Sequence, residues 1–127
     1  MVDEINETQK LVSELIKRAS FNNFNGRAVV DDLIKNKHLW RAVVMDREGY
    51  NCIDLTKLRD LPDDCWNVDT LFILPEKEKE DDLLLLSTNW KADEVKWIGG
   101  KKACDMLGMW TDELEENDKL ILSLWWD

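Results

Sequence analysis

Apolar side chains at the start of the chain recur at helical spacing. Over residues 3–19, Ile5, Val12, Leu15, Ile16 and Ala19 fall three, four and seven positions apart, which predicts a helix with one apolar stripe. Residues 20–26, Ser-Phe-Asn-Asn-Phe-Asn-Gly, interrupt it with turn formers. Val29, Val30, Leu33 and Ile34 then share one helical face and predict a second, shorter helix reaching about Asn36.

Beyond that point the spacing changes. Residues 39–45 are rich in Val, Trp and Met, and Asp46-Arg47-Glu48-Gly49 offers a turn with glycine where positive φ is needed. A hairpin with residues 50–55 is expected. Residues 70–74 form a continuous apolar run stopped by Pro75, and the four leucines at 83–86 read as another strand. Continuous rather than alternating runs imply central strands covered on both faces. Residues 76–82 between them alternate in sign with nothing apolar to bury, which predicts an exposed loop.

Val95 and Trp97 alternate with charged residues and predict a short strand ended by Gly99-Gly100; Ala103, Met106 and Leu107 suit a two-turn helix closed by Gly108. Leu120, Leu122, Leu124 and Trp126 alternate with Ile121, Ser123 and Trp125, so the last residues form a strand whose Trp125 and Trp126 face opposite sides. These elements imply an α+β fold on a mainly antiparallel sheet, with two N-terminal helices and one short late helix. A length of 127 residues fits one domain, 1–127.

Charge changes the picture more than size does. Residues 60–82 hold nine acids against Lys77 and Lys79, a local balance of −7, and residues 111–127 hold six against Lys119, a balance of −5. The whole formal charge of −10 therefore comes from two segments. Such a field favours a cationic partner and disfavours direct nucleic-acid binding. No apolar run reaches the length of a membrane span, and Asp3, Glu4 and Glu7 are unlike a signal peptide, so a cytoplasmic protein is expected.

Catalytic and metal chemistry find little to use. His38 is the single histidine, and Cys52, Cys65 and Cys104 match neither a disulfide framework nor paired zinc ligands. Asp63-Asp64 and Asp81-Asp82 are acid pairs without the spacing of a calcium loop, and Gly99-Gly100-Lys101-Lys102 lacks the rest of a phosphate loop. Neither an enzyme nor a cofactor-binding or metal-binding protein is expected.

Seven tryptophans remain, most of them needed for a core. Trp66 stands beside Asp63, Asp64 and Asp69, and Trp110 beside Asp112, Glu113, Glu115 and Glu116. An aromatic ringed by carboxylates is the composition of a hot spot for a cationic partner; the alternative is a rim tryptophan covering a core edge. In its profile the chain resembles small acidic bacterial immunity proteins, including those paired with contact-dependent inhibition toxins. The resemblance rests on size, acidity and the lack of catalytic motifs, and implies a protein that inhibits a nuclease-type toxin. A nucleic-acid mimic blocking a DNA-binding protein and a non-catalytic adaptor are the alternatives. For either acid segment to reinforce the other, the fold must bring them together.

Overall fold

Asn6 starts the first helix by accepting a hydrogen bond on its side chain from the Gln9 N–H at 2.8 Å, which satisfies one of the amide groups a helix leaves unpaired at its N-terminus. The computed structural model describes residues 5–47, 58–64, 66, 68–108 and 120–127. Helix α1 (Glu7–Arg18) is followed by a two-residue hairpin, β1 (Ser20–Phe21) and β2 (Phe24–Asn25), turned through Asn22 at φ 48°. Asn25 then caps α2 (Gly26–Lys35) through Ala28 N–H. A Cβ on Gly26 would run into the Ile16 and Ala19 carbonyl oxygens, so glycine is what lets α2 start against the end of α1.

Four strands form the main sheet: β3 (Trp40–Asp46), β4 (Thr70–Pro75), β5 (Glu94–Ile98) and β6 (Ile121–Trp125), in the order β3-β4-β6-β5 with every neighbouring pair antiparallel. Strand β6 therefore inserts between β4 and β5, which the intervening helix α3 (Glu80–Ser87) connects by a crossover. Helix α4 (Gly100–Leu107) ends at Gly108, whose φ of 71° is the left-handed conformation glycine takes without steric cost. The architecture is α+β on an antiparallel sheet.

The core has two parts because the sheet is covered on both faces. Val43, Met45, Leu71, Ile73, Leu122 and Leu124 pack with Ile16, Val30, Leu33 and Leu83 from α1, α2 and α3. On the other face, Ile98 and Ile121 meet Ala103 of α4, with Phe72 and Leu107 half-buried beside them. Central β6 accordingly buries Ile121, Leu122, Ser123 and Leu124 in succession.

Some expectations need correction or completion. The leucines at 83–86 lie in α3 and not in a strand. Glu80, Asp81 and Asp82 occupy its first turn, where negative charge favours a helix N-terminus, and leucine is a strong helix former. The stretch 76–82 is thus a turn at Lys77–Glu78 running into that helix, rather than a loop throughout, and the helix count rises to four α-helices among the described residues. The expected hairpin partner at 50–55 lies outside the described residues. Strand β3 pairs on one side with β4, and at its other edge the buried Gln9 amide donates to Val43 O at 2.7 Å and accepts from Val43 N–H at 3.1 Å. Leu15, placed by its spacing on the buried stripe of α1, is 47% exposed.

Candidate functional site

One row of the sheet sets the position of the site. Asp46 pairs with Thr70, Thr70 with Trp125, and Trp125 with Glu94, so the ends of β3 and β6 and the starts of β4 and β5 are aligned. Backbone bonds tie them together: Asp69 N–H donates to Asp46 O at 3.1 Å, and Trp126 N–H donates to Asp69 O at 3.0 Å. Asp127 N–H donates to the Asp93 carboxylate at 2.8 Å, while the Asn22 side chain donates to Asp127 O. Trp126 is fully buried below this row, edge-on to Phe24 and donating its indole N–H to Trp90 O at 3.0 Å.

Trp125 turns the other way and stays half-buried at the surface. With Phe21, Trp66 and Trp126 it lines a cavity of about 460 Å³, completed by Arg18, Arg47, Asp69 and Asp127 among others. A second cavity of about 290 Å³ adjoins it, lined by Leu15, Arg18, Ala19, Leu61, Asp64 and Trp66. Arg18, Ala19 and Trp66 belong to both, so Trp66 forms part of the wall between them. Its ring also packs against the main core, which fixes it in place.

The route from sequence to this cleft is local. A 3-10 turn (Leu58–Asp63) contains Pro62 and leaves Leu61 49% exposed; Asp64 follows at φ 58° and turns the chain toward Trp66. Asp64 is met from α1 by Arg18, whose Nη2 donates to both carboxylate oxygens at 3.1 and 3.0 Å. Both partners are largely exposed, so the pair contributes little to stability. Asp69 accepts the Thr70 hydroxyl at 2.8 Å.

Asp63, Asp64, Trp66 and Asp69, expected to bind a partner, are therefore brought to one end of the sheet. Trp110, Asp112, Glu113, Glu115 and Glu116 lie outside the described residues. The first acid segment is also divided by β4: Glu76, Glu78, Glu80, Asp81 and Asp82 follow Pro75, which is one strand length, roughly 17 Å, from Thr70. At that far end Glu76 N–H bonds Leu39 O, and Leu120 N–H bonds Ile98 O. Leu120, which lies within the second acid segment, thus enters the sheet at the end where the 76–82 acids leave it.

Leu15, Leu61, Arg18 and Phe21 line these cavities without any site role expected from the sequence, Leu15 having been placed on a buried stripe. Leu61, apolar between Asp60 and Pro62, was a local sign of an exposed anchor; the Arg18–Asp64 contact spans 46 positions and has none. His38 is exposed beside the end of α2, and Cys104 is buried in α4. Among the described residues no group of three or more His, Cys, Asp or Glu is placed to hold a metal, and no helix is long and apolar enough to cross a membrane. No family model, curated protein or solved structure matches the chain.

Proposed function

We propose that this chain is a cytoplasmic, non-catalytic binding protein that neutralises a basic protein partner, in the manner of an immunity protein inhibiting a nuclease-type toxin. The observation that carries this is Trp66 lining two adjoining cavities, with exposed Leu15 and Leu61 and the Asp64 acid lining one and Asp69 the other. An aromatic and apolar centre inside a polar margin is the anatomy of a protein-binding hot spot. The net charge of −10 adds long-range attraction for a cationic surface.

Acids at both ends of β4 give that attraction two poles. The 76–82 acids are exposed or half-buried around the start of α3. A nucleic-acid mimic has less support, because its carboxylates would have to run in one regular row.

Affinity capture from the native host tests the proposal. The wild-type chain should retain a basic protein at low salt and release it at high salt, since screening weakens attraction between exposed charges. Retention of no basic protein at low salt would contradict the proposal.

A further inference from the structure

The ion pair across the cleft is built to be exchanged. Arg18 reaches Asp64 through a single nitrogen, Nη2, shared between both oxygens, and not through the two parallel bonds that make an arginine–carboxylate pair strong. The Arg18 and Asp64 side chains are 67% and 82% exposed, so water and salt compete with the contact. Asp64 follows the 3-10 turn at φ 58° and lines the 290 Å³ cavity together with Trp66 and Leu61. A carboxylate beside a tryptophan in a partly apolar cleft is what a guanidinium recognises, through a charge-assisted hydrogen bond and contact with the ring.

We propose that the Asp64–Trp66 cleft is a guanidinium site, occupied in the free protein by the chain's own Arg18 and taken over on binding by an arginine of the partner. The inference rests on the partner-binding function proposed above and adds the chemistry of the anchor. Arg18 is then an internal competitor. Its weak geometry and exposure leave it easily displaced, and a partner arginine held by further contacts takes its place. Leu15 and Leu61 cover the methylene stem of the incoming side chain, as apolar surfaces commonly do for arginine.

Competition gives the site a signature that general acidity lacks, because removing Arg18 and removing Asp64 act in opposite directions. The test is titration of the isolated protein with argininamide, followed by the indole N–H resonance of Trp66, assigned by its loss in Trp66→Phe. The resonance should shift saturably in the wild type. Arg18→Gln should bind argininamide about two- to fivefold more tightly and Asp64→Asn about fivefold more weakly, the range expected from an exposed ion pair. Lys10→Gln removes one positive charge from the same helix away from the cleft, and should change the affinity less than Arg18→Gln does. All three positions are exposed, so the variants should keep the wild-type fold.

A non-saturable shift, or equal affinities in wild type and Asp64→Asn, would overturn the site. An Arg18→Gln affinity no tighter than that of Lys10→Gln would overturn the competition. The titration involves no partner, so its failure is distinguishable from failure to capture a basic protein.

Discussion

Gln9 occupies the middle of the buried face of α1, where helical periodicity calls for an apolar side chain, and 9% of its surface is exposed. Its amide reproduces a strand's hydrogen bonds against Val43, satisfying an N–H and a C=O at the edge of β3 that would otherwise lack a partner there. Gln9→Leu keeps a similar volume and removes both bonds. It should lower the unfolding free energy by about 1–3 kcal/mol in urea denaturation, the cost of leaving buried backbone groups unpaired. Unchanged stability would show that Val43 is satisfied some other way. The same exchange uncovers a strand edge, so soluble aggregates in size-exclusion chromatography are the expected companion.

At the level of elements, the sequence was readable where one period dominated. Helices α1, α2 and α4 and strands β3, β4, β5 and β6 follow the apolar spacing, and Gly108 marks the end of α4 as glycine usually does. The leucines at 83–86 were not, because a four-residue apolar run has no period to separate helix from strand. What decides it lies upstream, in the three acids of the first turn of α3, and above it in tertiary packing that buries Leu83 while Leu85 is 70% exposed. Strand order was equally hidden, since β6 inserts between β4 and β5 only through long-range pairing. Trp126 shows how much rests on that last strand: Phe24, Trp90 O and Asp69 O all meet it. Trp126→Ala should cost about 3–5 kcal/mol, read from the thermal or denaturant midpoint. A loss below about 1 kcal/mol would mean that the core closes without it.

For the whole molecule, the sheet turns an uneven charge distribution in sequence into two poles in space. Asp63, Asp64 and Asp69 gather at the Trp66 end, while the acids after Pro75 gather at the other. The tryptophan in the candidate site was legible from its acidic neighbours. The leucines and the arginine that complete the cleft were not, because α1 and the 58–66 segment meet only in the folded chain. The two features have separate consequences for binding. Under the proposed function, charge at the poles would set how fast a cationic partner arrives, whereas a fixed aromatic in a cleft would set how long it stays. The dissociation rate of the captured basic partner, compared between wild type and Trp66→Ala at one salt concentration, separates them. Trp66→Ala should raise that rate by at least about thirtyfold, equivalent to a hot-spot loss of about 2 kcal/mol. An unchanged dissociation rate would remove Trp66 and its cleft from the interface.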